Sequence, residues 1–598
     1  CVHGLGAQVA LRARCVRFFF FFPRFFLLSL EMLFAPSASM ALKSTKYRAP
    51  DTAAPQTVSA KLPVDLSPTG FCTAGVGAAC LVVGLTANAR RIGRDSRRTR
   101  THQVVTTRAA APRIGSVPEE ALAKPYALVV IGGGPAGVNA AMTAALLGQR
   151  VLIVDNPKVQ PTSAGLDISF GGPTGLWSKA LRDTAKRLDI KTLGSMGLDK
   201  EIIWKQVRSN CIQLATQNAE YQVDRCSQYR VNYLQAIADV SESGKVTVEL
   251  PDGTKQDVTT ENLLMATGSV PMRLGSVPFD DVRIFDSDTI NGLDFLPENV
   301  VVAGSGIIAC EYAEIFRTLG CNVTMIVRSD ANSALRRIGL DRDVAQALID
   351  RLSSDGVTMF QGCEVTEFDV PPYEDRTTPV RLKLSHKSGS GPESLECDVF
   401  LAAMGRRPNV KLFEQLGCEI EKRGGAVKVD GNFQTTVPHV YAVGDSIGAP
   451  ALASTGEYQA QVAVEGIVQG HKGDKEKLQF PVGVWTIPEI GYYGYTSEEA
   501  REEGIKCEEG SASYSSCLRG RVFAPEGLLK LVFRIEDGVI IGVHVWGTDA
   551  CELVHLGMHL VKSKSSIFEL MGSIFTAVTY HELFKAAAFD GNSKLEFG

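Results

Sequence analysis

The chain has 598 residues, of which 45% are hydrophobic and 21% are charged, a composition typical of globular proteins with large buried cores. Residues 1–116 contain 16 Lys and Arg against 4 Asp and Glu, whereas the remaining residues contain 46 against 62. The acidic body argues against nucleic acid as a partner, and the length predicts several domains. The 14 cysteines form no C-x-x-C pair and no regular framework, which argues against a disulfide scaffold.

Residues 1–120 have the composition of a targeting leader, and we expect them to be largely disordered. A Phe-rich apolar run, residues 16–28, precedes small residues and resembles a secretory signal. The Arg- and Thr-rich residues 90–100 resemble a transit peptide. Together they are similar to the bipartite leaders of complex algal plastids, so we predict a plastid protein; a mitochondrial presequence or a mistranslated upstream region are the alternatives. The apolar residues 71–87 are too short and too rich in Gly and Ala for a membrane span, so no membrane is expected for the mature chain.

A first dinucleotide-binding unit follows the leader. The apolar run Ala127–Ile131 predicts a buried strand, which enters a glycine-rich turn and then an Ala-rich helix. A second strand ends in Asp155, an acid suited to accept hydrogen bonds from ribose hydroxyls. The glycines permit a tight turn, close approach of a pyrophosphate and close packing of helix on strand. They are Gly132, Gly134 and Gly137.

A second fingerprint begins after the strand Asn299–Ala303. Its three positions are Gly304, Gly306 and Ala309, and the rule permits alanine at the third. The sequence therefore predicts two separate nucleotide sites in one chain.

The residue that ends the next strand favours a particular nicotinamide nucleotide. An acid there would bind a free ribose 2′-hydroxyl, but this chain has Arg328, with Arg336 and Arg337 following. Arginine accommodates the 2′-phosphate of NADP through charge-assisted hydrogen bonds. We therefore predict NADP(H) at this site, with Arg328 and Arg336 as ligands, without excluding NAD(H). The alternative is that one of these arginines is solvated surface.

The two fingerprints and the segment Thr435–Asp445 resemble the FAD-dependent pyridine nucleotide-disulfide oxidoreductases. The resemblance implies an α/β fold with two Rossmann-like domains, one for FAD and one for NAD(P), and a C-terminal α+β dimerisation domain. It covers residues 126–595 and predicts a homodimer. The implied domains are residues 121–275 with 400–476 for FAD, 276–399 for NAD(P) and 477–598 for the interface. The residues expected to close the FAD site are Thr267, Gly268, Gly444 and Asp445.

The same resemblance singles out an ion pair at the flavin edge and a missing disulfide. Lys179 and Glu311 match the family's charged pair, where hydride arrives; a purely structural role is the alternative. The family's Cys-x4-Cys pair has no counterpart. Without gaps its positions fall on Phe170 and Gly175, and a shortened loop removes them, so neither alignment supplies a thiol. Disulfide chemistry needs a thiolate and is therefore not expected.

The C-terminal segment lacks the family's acid/base histidine. Glu582 falls on the family's glutamate, but the histidine position holds Ala577, and His581 is one residue from Glu582. His555 and His559 have the i, i+4 spacing of a metal clamp, yet no third ligand is evident, so we predict interface packing and no metal.

Three functions remain open at the level of sequence. Within the family, the C-terminal segments resemble most the soluble, Si-specific pyridine nucleotide transhydrogenases, which implies hydride transfer from NADPH to NAD⁺ through FAD. An NAD(P)H diaphorase or oxidase, or a dihydrolipoyl dehydrogenase-like flavoprotein without disulfide chemistry, is the alternative. A non-catalytic flavoprotein subunit is the third, which the intact Lys179 and Glu311 disfavour.

Overall fold

The computed structural model describes residues 117–597, apart from 157–168, 173–174, 188–196, 198, 373, 376, 388, 390 and 472–478. The predicted targeting leader lies almost wholly outside the described residues, as do the signal and transit segments within it. No helix in the described ranges combines the length and apolarity needed to cross a bilayer.

The domain that carries the first glycine fingerprint begins with a parallel sheet in the order β3-β2-β1-β6, extended by the antiparallel β5 and β4. β1 and β2 are buried almost throughout, as β-branched strands between two covering layers should be. The strands are β1 Tyr126–Ile131, β2 Val151–Asp155, β3 Asn232–Gln235, β4 Ile237–Glu242, β5 Lys245–Glu249 and β6 Lys255–Met265. The helices are α1 Glu119–Leu122, α2 Pro135–Leu146, α3 Leu176–Arg187 and α4 Lys200–Gln228.

The second domain, which carries the second glycine fingerprint, has a five-stranded parallel sheet in the order β11-β10-β9-β15-β8, beside an antiparallel sheet β12-β13-β14. A short strand, β7 Ser269–Pro271, leads into it. The strands are β8 Ile284–Asp286, β9 Asn299–Ala303, β10 Asn322–Val327, β11 Thr358–Gln361, β12 Cys363–Asp369, β13 Val380–His386, β14 Ser394–Cys397 and β15 Val399–Ala402. The helices are α5 Ile307–Thr318, α6 Ala331–Arg336 and α7 Arg342–Ser354.

The chain then returns to the first domain, which is therefore discontinuous. β16 Arg406–Pro408 pairs with β7, α8 spans Lys411–Gln415, and β17 Val440–Ala442 joins the first sheet beside β6 before α9, Ala453–Gln469. Because β15 belongs to the second sheet, that domain extends to Ala402, past the predicted boundary at residue 399.

The C-terminal domain is an antiparallel sheet in the order β18-β19-β22-β21-β20 covered by helices. The fold class predicted from the sequence is thus confirmed. The strands are β18 Val482–Val484, β19 Glu489–Gly494, β20 Cys507–Ser513, β21 Gly527–Arg534 and β22 Ile540–Gly547. The helices are α10 Ser497–Glu502, α11 Leu518–Phe523, α12 Ala550–Lys562, α13 Ile567–Gly572 and α14 Glu582–Phe597.

A buried cation joins the second and C-terminal domains. Lys530 on β21 is only 2% exposed, and its Nζ lies 3.0 Å from the Asp341 carboxylate and 3.2 Å from that of Glu509. It also bonds to Asp343, the second residue of α7. Asp341 caps α7, so this cluster fixes the start of that helix against the sheet of the C-terminal domain.

Candidate functional site

The first glycine of each fingerprint occupies a position that requires glycine. Gly132 has a φ of 112° and Gly304 a φ of 140°, in the region that other residues rarely adopt. A β-carbon built on Gly132 would lie 2.2 Å from the Ala266 carbonyl oxygen, and one on Gly304 would lie 2.3 Å from that of Ala403. Each turn is therefore packed directly against the end of a neighbouring strand, β6 or β15.

The third fingerprint position sets the distance between helix and turn. A β-carbon on Gly137 would lie 1.9 Å from the Gly132 carbonyl oxygen, so only glycine fits there. At the second site the corresponding Ala309 is fully buried, which shows that this turn has room for a methyl group.

Both Rossmann helices begin at the second glycine of their fingerprint without a side-chain cap. Gly134 precedes α2 and Gly306 precedes α5, whereas Asp199 caps α4 and Asp330 caps α6 through their carboxylates. A β-carbon on either glycine would meet no atom within 4 Å, so the space beside the first-turn amides is open. Amides at a helix N-terminus, with the positive end of the helix dipole, bind phosphate. Both helix ends therefore fit the pyrophosphate of a dinucleotide.

The predicted acid Asp155 lies directly beside the first fingerprint. It is buried, and its Oδ1 accepts a hydrogen bond from the Gly133 amide at 2.8 Å. A β-carbon on Gly133 would lie 2.4 Å from the Asp155 Oδ2, so the loop closes tightly over the carboxylate. The structure places the acid at the glycine-rich loop, and its contact with a ribose remains a prediction.

The remaining residues predicted for the first site also lie around the start of α2. A β-carbon on Gly444 would lie 3.3 Å from that of Ala136, within the first fingerprint. The Asp445 Oδ2 accepts a hydrogen bond from the Ser269 hydroxyl at 2.7 Å, and Ser269 directly follows the Ala-Thr-Gly turn. Four segments that are distant in sequence therefore converge at one end of the first sheet. They are the first fingerprint, the end of β2 at Asp155, residues 266–269 and residues 444–445. The predicted members in this group are Thr267, Gly268, Gly444 and Asp445.

The arginines considered for the 2′-phosphate point in different directions. Arg328 follows β10 with an exposed side chain, and no residue in the described part of the chain pairs with its guanidinium. Arg336 lies 3.5 Å from the Glu498 carboxylate of the C-terminal domain. Arg337 donates a hydrogen bond to the Ser329 hydroxyl at 3.3 Å, next to Arg328 in the chain. The side chain directed toward the end of β10 is therefore Arg337, rather than the predicted Arg336.

Lys179 and Glu311 meet, as the resemblance implied. The Lys179 Nζ lies 3.1 and 2.9 Å from the two carboxylate oxygens of Glu311. The Glu311 side chain is 4% exposed and that of Lys179 is 31% exposed, so the ammonium is open on one side. The Trp485 amide donates a second hydrogen bond to the Glu311 Oε1 at 3.0 Å. One carboxylate thus joins α3 of the first domain, α5 of the second and the segment between β18 and β19.

No activated thiol accompanies this pair among the described residues. Phe170 is fully buried against Tyr233, with ring centroids 4.1 Å apart, and a β-carbon on Gly175 would lie 2.9 Å from the Lys179 Nζ. All ten described cysteines are free and buried. Burial raises the pKa of Cys211 to about 11, which keeps that thiol protonated at neutral pH.

The C-terminal residues weighed for acid/base or metal roles are mostly exposed. Glu582 begins α14, where its carboxylate accepts a hydrogen bond from the Thr579 amide at 3.2 Å. The side chains that are exposed are those of His555, His559, Ala577 and His581. His555 and His559 are exposed, and their packing at an interface with another molecule remains a prediction.

Two buried charged side chains beside the ion pair were missed by the sequence reasoning. Arg182 is 3% exposed, and its guanidinium lies 4.7 Å from the centroid of the Trp485 ring. Glu314 is also 3% exposed and accepts a hydrogen bond from the Ile487 amide. Each lies three residues after a member of the ion pair, and this i, i+3 spacing on a helix face was the available signal.

Comparison with known proteins agrees with this geometry. Residues 126–460 match the family model described as pyridine nucleotide-disulphide oxidoreductase, and residues 480–588 match the dimerisation domain of the same family. Among solved structures, the HOCl-induced flavoprotein disulfide reductase RclA from Escherichia coli, as a Cu(II) complex, aligns with a TM-score of 0.67 at 20% identity. The alignment covers 78% of this chain and 99% of RclA, and it shows a shared fold.

Curated relatives match over nearly their whole length. A soluble pyridine nucleotide transhydrogenase from Pseudomonas putida is 31% identical over 484 residues, which cover 79% of this chain and 99% of the relative. One from Pectobacterium atrosepticum is 30% identical, with 79% and 98% covered. The chain therefore belongs to the pyridine nucleotide-disulphide oxidoreductase family, whose members use FAD and NAD(P)(H).

Proposed function

We propose that this FAD-dependent pyridine nucleotide oxidoreductase transfers hydride from NADPH to NAD⁺. The observation that carries the proposal is the fixed Lys179–Glu311 pair between the two nucleotide-binding domains, with no activated thiol among its described neighbours. The relatives named soluble pyridine nucleotide transhydrogenase support the same reaction.

The chain's residues have a positioning and electrostatic role in this proposal. Bound FAD supplies a group that accepts a hydride from one nicotinamide and returns it to another. Lys179 would present a positive charge to the bound flavin, and Glu311 fixes the position of Lys179 through two contacts of 3.1 and 2.9 Å. Preorganised charge of this kind stabilises charge that develops during transfer without further reorganisation.

We propose that Arg328 and Arg337 recognise the 2′-phosphate of NADP(H). Arg328 is exposed at the end of β10, and Arg337 is held beside it by Ser329. Arg336 is instead engaged by Glu498. This exposed pair of arginines can bind the 2′-phosphate of NADP(H). NAD(H) lacks that phosphate, and the two arginines do not repel it.

We also propose that a second copy of the chain covers the outer face of the interface domain. Residues 480–588 of this domain match the family's dimerisation domain. The domain exposes large apolar side chains on α11, α14 and the loop between α13 and α14. The apolar side chains are Leu518, Val522, Phe523, Ile574 and Phe589, of which Ile574 is 96% exposed. Light scattering of the FAD-loaded protein should give the mass of a dimer.

A two-step anaerobic experiment tests the transhydrogenase assignment. NADPH is first used to bleach the flavin absorbance in a stopped-flow instrument, and the reduced protein is then mixed with thio-NAD⁺ or with a quinone. We expect thio-NAD⁺ to restore the flavin absorbance with formation of its reduced form. Rapid re-oxidation by the quinone but not by thio-NAD⁺ would instead identify a diaphorase.

A further inference from the structure

Two glutamates on one face of α5 accept hydrogen bonds from the same segment of the C-terminal domain, the one between β18 and β19. Glu311 and Glu314 are three residues apart, so they share a helix face, and each is only 3% exposed. The amides of Trp485 and Ile487 lie two residues apart between β18 and β19. Trp485 donates to Glu311 at 3.0 Å, and Ile487 donates to Glu314. Helix and segment are therefore joined at two matched points.

The two carboxylates differ in their surroundings. Both oxygens of Glu311 are bonded, and Lys179 supplies a cation at 2.9 Å. No described residue offers Glu314 a cation within 4 Å, and its buried Oε1 has no hydrogen-bond partner in the described part of the chain. A buried ionised carboxylate without a cation is strongly unfavourable, whereas the neutral acid can stay buried.

The charges around Glu314 support the neutral form. Burial raises the pKa of Glu314 well above its ordinary value, against the opposing effect of one backbone amide. Asp355 raises this pKa further, Arg351 lowers it, and Glu311 raises it. The Arg351 guanidinium itself bonds to Asp355 at 2.7 Å, so its charge is largely compensated. The titratable groups that face Glu314 from α5 and the end of α7 are Cys310, Glu311, Arg351 and Asp355.

We propose that Glu314 is a positioning residue that works in its protonated form. Glu314 accepts a hydrogen bond from the Ile487 amide and so keeps the segment between β18 and β19 in place. The Trp485 amide then remains bonded to Glu311, and Glu311 remains aligned with Lys179. The proton on Glu314 also keeps a second negative charge from competing with Glu311 for that lysine. The inference rests on the proposed function, because the ion pair it serves lies at the proposed hydride-transfer site.

The first test measures the limiting rate of anaerobic flavin reduction by NADPH in the full-length, FAD-loaded protein. Glu314→Ala removes the acceptor of the Ile487 amide, and the rate should fall by roughly 10- to 100-fold, as small displacements of reacting groups can cause. The Kd for NADPH should change little, because the nucleotide contacts remain. Glu314→Gln keeps a neutral acceptor and should recover most of the lost rate. Glu367→Gln is the control for loss of a carboxylate, because the Glu367 carboxylate pairs with an exposed lysine.

The pH dependence separates a proton-dependent role from simple packing. The wild-type rate should decline as the pH rises through the raised pKa of Glu314, where this side chain loses its proton. Glutamine cannot ionise, so the decline should move to higher pH in Glu314→Gln. An unshifted decline, or a Glu314→Gln rate as low as that of Glu314→Ala, would overturn the proposal.

The test is independent of the electron acceptor. Bleaching of the flavin by NADPH precedes any re-oxidation, so a failure of transhydrogenation leaves these rates readable. If Glu314→Ala does not retain FAD, the rate and pH profile of Glu314→Gln decide the question. A wild-type rate in a folded Glu314→Ala protein would overturn the positioning role of Glu314 and would leave the proposed transhydrogenase function untouched.

Discussion

Lys179 and Glu311 lie 132 residues apart in the chain and meet at 2.9 Å, across the boundary between the two nucleotide-binding domains. The carboxylate is buried and the ammonium is partly open. This charge pair forms only when the two domains are docked.

Removing one member of this pair should affect stability and rate differently. Lys179→Met leaves the buried Glu311 without its cation, and we expect a loss of roughly 1–3 kcal/mol in the free energy of unfolding. The double variant Lys179→Met/Glu311→Gln should recover part of this stability, because the unpaired charge is gone. It should still reduce flavin slowly in stopped-flow measurements. Recovery of both stability and rate would show that the pair is only structural.

Replacing Arg328 with Glu should shift the preference of the second site from NADPH toward NADH. Loss of a charge-assisted contact and repulsion of the 2′-phosphate should weaken NADPH binding by about 2–4 kcal/mol. NADH lacks the phosphate and should be little affected. Arg337→Gln should act in the same direction, whereas Arg336→Gln, at the side chain paired with Glu498, should change the ratio least. Equal losses for both nucleotides, measured as kcat/KM, would make Arg328 structural.

The buried Lys530 should be important for stability alone. Lys530→Met leaves Asp341 buried without its cation, and we expect the free energy of unfolding to fall by about 3–5 kcal/mol. Lys383→Met, in an exposed pair with Glu367, is the matched control and should change little.

The pH dependence of this contribution has a definite sign. Burial lowers the pKa of Lys530, but Asp341 and Asp343 raise it more, so the net shift is upward. The contribution should therefore be complete below the pKa of an unfolded lysine and be lost as pH rises through the higher folded value. A difference between wild type and Lys530→Met that vanished at neutral pH would contradict this.

The parts of the site that were predicted from sequence depend on local patterns. A glycine fingerprint specifies a turn, a strand and a helix within about 30 residues, so Gly132 and Gly304 could be placed without any tertiary information. Lys179 and Glu311 came from family resemblance. The sequence prediction chose Arg336 rather than Arg337, but neighbours on a helix point about 100° apart, and only packing decides which of the two lies beside Arg328.

The contacts that surround the ion pair could not be predicted for a different reason. The Trp485 amide reaches Glu311 across 174 residues, and a backbone amide carries no sequence signature. The i, i+3 spacing places Glu314 on the same helix face as Glu311, but the sequence does not show that Glu314 is buried and bonded to the Ile487 amide.

Anaerobic reductive titration of the FAD-loaded protein tests most directly the central claim, that hydride enters and leaves through the flavin without a dithiol. Two electrons per FAD should complete the reduction, no long-wavelength thiolate-to-flavin charge-transfer band should form, and arsenite should leave the NADPH reaction unchanged. Uptake of four electrons per FAD, or inhibition by arsenite, would show that a pair of cysteines works beside the flavin and would contradict the account.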